Sequence, residues 1–476
     1  MKRTLVWFRG KDLRLADHEP LTAALREGQP VPLFVLDPYF FAPARARELP
    51  HRIQFLLQSL RELSTRVEAL GSHLIIVAGR SVDVVPAVAR SFAIDQVVAQ
   101  RWSEPFARER DRRVAIALSV PFRLFEGETL APPGALSTSE GKPYSVFTPY
   151  ARAFRTKIEI GAPLTAPARL PPLPAGLEFS PAPIPELSEL GIDENPRLLA
   201  GGELAAEARL AQFLDGAARD YDTGRDRLDL AGTSRLSQDL KFGTLSPRRV
   251  WVDSERALAR SPKALAAFSN ELVWREFSHG LLRADPELLE RPFHRHFAEF
   301  PWLADAPEWD AWVTGHTGYP VVDASARQLL QEGFVHNRAR MISASFLTKH
   351  LLVHYRRGEA HYMKYLVDGD WANNNAGWQW SAGCGADGQP YFRVFNPVTQ
   401  GERFDPEGNY VRRYVPALAQ MPAKFIHQPW QAPAAVLAKA GVRLGHDYPH
   451  PIVDHAVARQ RFLAIAESYL ASRRAK

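Results

Sequence analysis

A chain of 476 residues, 46% hydrophobic and 24% charged, is globular by composition and long enough for two or three domains. Its one cysteine, Cys384, excludes a disulfide framework and a cysteine-rich metal centre and fits the reducing cytoplasm; no apolar run approaches the roughly 18 residues of a spanning helix, and MKRTLVWFRG lacks a signal peptide's apolar stretch, so no membrane role is expected. The formal charge of +6 tolerates a polyanionic partner without demanding one.

From Thr4 to Gly127 the short apolar runs LVWF, PLFVLD, HLIIVAG, QVVAQ and FRLFEG alternate with amphipathic segments. That alternation predicts an α/β, Rossmann-like parallel sheet over residues 1–130. Between the second and third runs, Leu56, Leu57, Leu60, Leu63, Val67 and Leu70 recur at helical spacing and predict one covering helix. The loop after the first strand reads RGKDLRLADHEPL and lacks G-x-G-x-x-G, which argues against a hydride-transfer dehydrogenase. Residues 131–200 form a connector, with eight prolines between Pro163 and Pro185 favouring extended backbone. From 201 to 476 strand-like runs vanish, and windows such as GELAAEARLAQFLDGAARDY and NRARMISASFLTKHLLVHY predict an all-α domain.

Four stretches of the helical half combine aromatic and polar residues at helix-face spacing. In AGTSRLSQDLKFG, Thr233, Ser234 and Ser237 stand at a helix start and Gly243 at its stop; hydroxyls there suit either plain N-capping or a phosphate. NELVWREF places Glu271, Trp274 and Arg275 on one face, either a buried ion pair supporting an indole or an aromatic platform for a base. GFVHNRARMISASFL sets Asn337 and Met341 four apart with Arg338 and Arg340 beside them, a solvated flank or a set of phosphate contacts, to which Lys349, Arg356 and Arg357 add charge. LVDGDWANNNAGWQW, with PYFRVFNP after it, holds Asp368, Asp370, Asn374, Trp378, Trp380 and Arg393. No histidine or third carboxylate stands at a supporting spacing from the two aspartates, so no metal is expected. Asn373 and Asn375 read as turn formers.

Together with VWFRGKDLRLADHEPL, GKPYSVFTPYARAF, TGYPVVDASARQL and PYFRVFNPVTQGERFDPEGNYVRRYVPAL, these motifs run through nearly the whole chain, which resembles the DNA photolyase and cryptochrome family, most closely its class I cyclobutane pyrimidine dimer photolyases. The resemblance implies a helical FAD-binding domain, a reduced anionic flavin excited by near-UV or blue light, and one electron lent to a pyrimidine dimer in DNA. By matching position it implies Tyr221, Thr233, Ser234, Leu236 and Ser237 around the flavin's ribityl and phosphate groups and Arg275 near its pyrophosphate. Asn337, Arg340, Asp368 and Asp370 would surround the ring and sugar. Asn374 would face flavin N5. Glu271, Trp274, Asn337, Met341 and Trp380 would receive the flipped dimer, and Arg338 and Arg393 would clamp phosphates.

An amide at Asn337, where six-four photoproduct enzymes carry histidine, implies cyclobutane dimers. Trp274 and Met341, at positions where DASH-type cryptochromes depart, imply duplex DNA. The surface-to-flavin electron chain matches Trp378, Tyr355 and Trp302. A phenol in the middle predicts slow or rerouted photoreduction, with His354 as a base for Tyr355. FRGKDLR carries one residue more than the usual FRxDLR, and RWSEPFARERD matches the antenna region poorly. A second chromophore is expected, folate, deazaflavin or flavin, with folate the first guess. A monomer is expected, and the alternative is a cryptochrome-type blue-light photoreceptor signalling through a partner. The chain's end at Lys476, without a long disordered extension, favours repair.

Overall fold

The computed structural model describes residues 2–174, 181–303, 306–388 and 390–474. Backbone packing groups the chain into two compact units. The first comprises Met1–Tyr221, Ser234–Pro286 and Val367–Ala372, and the second Asp222–Thr233, Glu287–Leu366 and Asn373–Lys476. The division does not follow the change from α/β to helical sequence near 201, because several helices beyond that point pack with the sheet unit.

In the first unit, β1 (Lys2–Phe8), β2 (Gly28–Leu36), β3 (Ile75–Ala78), β4 (Gln96–Gln100) and β5 (Phe122–Phe125) form one parallel sheet in the order β3-β2-β1-β4-β5. Leu5, Val6, Trp7 and Phe8 are all buried, as expected of a strand covered on both faces. The helix Pro50–Ala69 buries Leu56, Leu57, Leu60, Leu63 and Val67 and matches the predicted covering helix. The opposite face receives Val85, Val88 and Ala89 from the helix Ser81–Ser91. The chain runs outward from β1 to β3 and then returns to place β4 on the other side of β1. This order reversal opens a crevice beyond Phe8 and Gln100.

Residues 158–174 of the connector have no regular structure, as their prolines predict, yet they are not loose. Leu170 donates its N–H to Leu70 O at 2.8 Å and buries its side chain beside the covering helix. Residues 175–180 of the proline-rich stretch lie outside the described residues. The helices Phe147–Lys157, Glu203–Asp215, Ser237–Phe242, Pro247–Ala257 and Pro262–Ala284 also belong to this unit.

The second unit is helical, with Val322, Leu329, Ile342, Phe346, Leu347, Tyr362 and Trp378 in its core. The window NRARMISASFLTKHLLVHY, read as one helix, divides here. An α-helix covers Asn337–Ser345, a π-helical turn covers Phe346–His350, and the chain then leaves the helix. Leu352 takes φ +55° and Val353 pairs with Leu303 in an isolated parallel bridge. A helix restarts at Tyr355 because the His354 side chain accepts the Arg356 N–H as its N-cap, a tertiary override of continuous helical periodicity.

Candidate active site

In the first unit the helix Pro262–Ala284 turns Leu272, Val273 and Phe277 into the core and leaves Glu271, Trp274 and Arg275 half-buried on one face. Trp274 lies flat against Phe147, with ring centroids 3.6 Å apart and planes 4° from parallel. Sequence reasoning missed Phe147, since no periodicity signals a stack between two distant helices. Arg275 has a buried Nη1 that lies 3.6 Å from Glu276 but has no hydrogen-bond acceptor among the described residues. Burial pushes the Glu276 carboxyl up to about 7, against the pull of Arg275 and the Ala131 N–H, which it accepts at 3.1 Å.

Tyr221 is buried edge-on against Phe213 and Phe268. The short helix Ser237–Phe242 begins at Leu236 without a side-chain cap and ends at Gly243, φ +61°, as the sequence expects. Ser237 is exposed, and the Ser234 hydroxyl accepts the Leu236 N–H at 3.4 Å. Asp368 and Asp370 are buried just ahead of the helix Trp371–Ala382. The sequence spacing around these aspartates offers no companion ligands, but the fold supplies them. Oxygen and nitrogen atoms of Glu128, His279 and Asp370 converge within 4.8 Å. A cation already stands there: Lys11 Nζ lies 2.5 Å from Glu128 and 3.2 Å from Asp370.

In the second unit Asn337 is exposed and its amide lies 3.8 Å from Met341 Sδ, so the two share a face as their spacing predicts. Arg338 pairs with Asp226 at 2.8 Å and sits over the Phe404 ring, while Arg340 donates from Nε to Val335 O. Trp380 is half-buried and Arg393 exposed. Thr233, just ahead of Ser234 in sequence, is half-buried. The expectation that Asn373 and Asn375 turn the chain fails, since both lie inside the helix Trp371–Ala382. Asn375 is buried and donates to Glu359 Oε1 and Leu288 O, each at 3.0 Å, and accepts from Gln379. These side-chain bonds hold a poor helix former in place. Asn374 donates Nδ2 to Glu359 O at 3.1 Å, which fixes its amide plane and points its oxygen the other way.

Trp378 is 3% exposed, and its ring neighbours are Tyr362 at 5.1 Å and Trp312 at 6.1 Å. Trp312 in turn meets the half-buried Trp309 at 5.4 Å. Tyr355 is buried, burial pushes its phenol pKa up, and its hydroxyl has no hydrogen-bond partner among the described residues. His354 makes no hydrogen bond to it: the ring centroids lie 4.8 Å apart, and His354 Nδ1 accepts the Arg356 N–H. Trp302 meets His354 at 5.6 Å.

A cavity of about 340 Å³ opens at the crevice beyond β1 and β4, lined by Trp7, Arg9, Arg52, Trp102 and Arg110 among others. Arg9 Nε and Nη2 and Trp102 Nε1 are buried there without hydrogen-bond partners among the described residues. Sequence reasoning named none of them as site residues.

Residues 4–172 match the family described as DNA photolyase, and residues 268–468 the FAD binding domain of DNA photolyase. A deoxyribodipyrimidine photo-lyase of Agrobacterium fabrum is 41% identical over 97% of this chain and 96% of its own length. The chain belongs to the DNA photolyase family. Among solved structures, a bacterial class III photolyase from Agrobacterium tumefaciens is similar with a TM-score of 0.92 and 39% identity, over 99% of this chain and 98% of that one. The cryptochrome of Synechocystis sp. PCC6803 follows with a TM-score of 0.89 and 31% identity, over 98% and 99%. The sequence motifs suggested class I, whereas the Agrobacterium structure is described as class III.

As a photolyase the protein is a DNA-repair lyase, and its cofactor is FAD. The residues fit that cofactor: the acceptor-less Arg275 nitrogen and the uncapped start of the helix Ser237–Phe242 both offer donors to an anionic diphosphate.

Proposed function

We propose that this photolyase splits cyclobutane pyrimidine dimers in duplex DNA by light-driven electron transfer. The stacked Phe147–Trp274 pair carries the reading, because it sets a flat aromatic surface beside a carboxylate, Glu271, and a cation, Arg275. A flipped lesion stacks on such a surface, and Glu271 hydrogen-bonds its pyrimidine edge. By their resemblance Asn337, Met341 and Trp380 also contact the lesion, and the amide of Asn337 suits cyclobutane dimers. Arg393 and Arg338 hold flanking phosphates, with Arg338 first leaving Asp226.

When bound and reduced, FAD supplies on illumination the electron that opens the dimer's two carbon–carbon bonds and takes it back afterwards. Tyr221, Thr233, Ser234, Leu236 and Ser237 would hold its ribityl and phosphate groups, with Arg275 at the diphosphate. Asp368, Asp370, Asn337 and Arg340 would border the ring and sugar. Asn374 presents a neutral amide whose Nδ2 is already bonded, so it adds no negative charge beside the ring. Trp378 passes electrons inward from the surface. Because the Tyr355 hydroxyl has no hydrogen-bond acceptor among the described residues, the run Trp378–Trp312–Trp309 is the better route than Tyr355 and Trp302.

The cavity beyond β1 and β4 holds the antenna. Its unpartnered Arg9 and Trp102 donors suit a planar ring bearing carbonyl or carboxylate acceptors, with a folate the first guess over a deazaflavin or flavin. The enzyme acts as a monomer in the cytoplasm. A blue-light photoreceptor signalling through a partner is the second reading, favoured by the likeness to the Synechocystis cryptochrome. Reduced protein illuminated with a dimer-containing duplex tests the proposal. Restored thymine is expected, and bound FAD with retained DNA affinity but no repair favours the photoreceptor.

A further inference from the structure

Lys11 is 3% exposed, in the loop FRGKDLR that follows β1. Its ammonium meets three carboxylates: Glu104 at 2.7 Å, Glu128 at 2.5 Å and Asp370 at 3.2 Å. The backbone that delivers it is locked. Leu13 donates its N–H to Phe242 O, Arg14 donates to Gly243 O, and a methyl on Gly243 would collide with Lys11 O. Full burial of a lysine is rare unless its charge is matched. Here it joins a loop on the sheet side to the segment carrying Asp370.

We propose that Lys11 is a positioning residue for the flavin site, fixing the Asp370 carboxylate in the place from which it borders the flavin ring. The inference rests on the reading that Asp370 lies against FAD. Several other groups face Asp370: His279 at 3.5 Å, Glu128, Lys241 and Arg275. Burial holds His279 neutral, its pKa lowered to about 4, and its Nδ1 is within 2.8 Å of Ser103 Oγ. Burial and Lys11 lower Lys241 to about 8, so it is a cation at neutral pH but a weaker one. Lys241 lies 3.7 Å from Glu104. Among the described residues, Lys11 Nζ thus lies within 3.2 Å of all three carboxylates. Burial alone would raise the Asp370 carboxyl, and Lys11 is the first of the cations that bring it well below the usual carboxylate range. Removing Lys11 leaves Glu104, Glu128 and Asp370 clustered with too little positive charge, and a buried unbalanced carboxylate takes up a proton or moves.

The test is FAD affinity of the full-length protein, followed by flavin fluorescence quenching from pH 5.5 to 9. Asp370→Asn should weaken binding about tenfold or more, as expected when one partner of a buried charged pair is lost. Lys11→Met should do the same and give binding a stronger dependence on pH than the wild type's. In the Asp370→Asn background, Lys11→Met should add less than about twofold, because the two act as one unit. Unchanged affinity in Asp370→Asn would remove the reading of Asp370 at the flavin. A loss in Asp370→Asn together with an equal further loss on adding Lys11→Met would overturn the positioning role and leave Lys11 a packing residue. Should Lys11→Met not fold, Lys11→Met/Glu128→Gln restores the cluster's net charge and should bind FAD within about threefold of wild type, with the wild type's pH dependence. Failure of that variant to fold or to bind overturns the inference.

Discussion

Single side chains carry the sharpest consequences. Trp274→Ala removes half of the Phe147–Trp274 platform, and affinity for a dimer-containing duplex should fall by roughly 1–3 kcal/mol, the usual contribution of one stacked base. An equilibrium titration showing no change would return Trp274 to a packing role. With Asn374 at the flavin ring as proposed, Asn374→Asp would add negative charge there, and spectroelectrochemical titration should find a lower midpoint potential than in the wild type. Glu359 gives a signed pH effect. Burial pushes its carboxyl up to about 7, only partly offset by the Asn375 amide. The folded state therefore holds the proton more tightly than the unfolded chain. Its contribution to stability is present at low pH and is lost as pH rises through about 7. Glu359→Gln keeps a neutral partner for Asn375, so its melting temperature should exceed the wild type's at pH 8 and match it at pH 5. Equal melting curves at pH 8 would mean that Glu359 is solvated there.

At the scale of elements, the segments carrying the chemistry are held by close approaches that sequence periodicity does not reveal. Gly358, in the helix Tyr355–Tyr365, lies under the Trp378 ring, and a methyl there would run into the indole. Gly358→Ala should therefore displace Trp378 and slow photoreduction of the flavin, read by absorbance under illumination with an external reductant. An unchanged rate would mean that electrons do not enter through Trp378. The strands and the helix Pro50–Ala69 were legible from the sequence because burial on one or both faces writes a direct hydrophobic pattern. The break at Leu351–His354 was not, since the bridge of Val353 to Leu303 and the His354 cap are tertiary. Asn373 and Asn375 misled for the same reason: their turn propensity is real, but Glu359, Leu288 and Gln379 satisfy the buried Asn375 amide within a helix.

For the whole molecule, long ordered motifs made the family legible, while the contacts between distant residues stayed hidden. Phe147 on Trp274, the unpartnered donors of Arg9 and Trp102, and the lysine among Glu104, Glu128 and Asp370 all join residues far apart in the chain. A basic protein that clamps phosphates should lose DNA affinity as salt rises, because neutralised phosphates release counterions; salt-insensitive binding would contradict the clamp roles of Arg338 and Arg393. As proposed, the photolyase returns cyclobutane dimers to intact pyrimidines using light and reduced FAD, which is checked by the thymine recovered from a duplex carrying one defined dimer, with reduced holoprotein, in blue light and in darkness. Recovery should need both light and reduced flavin, and should leave full-length DNA with no net change in flavin oxidation state. No recovery from holoprotein that binds the damaged duplex, or equal recovery in darkness, would contradict the proposal.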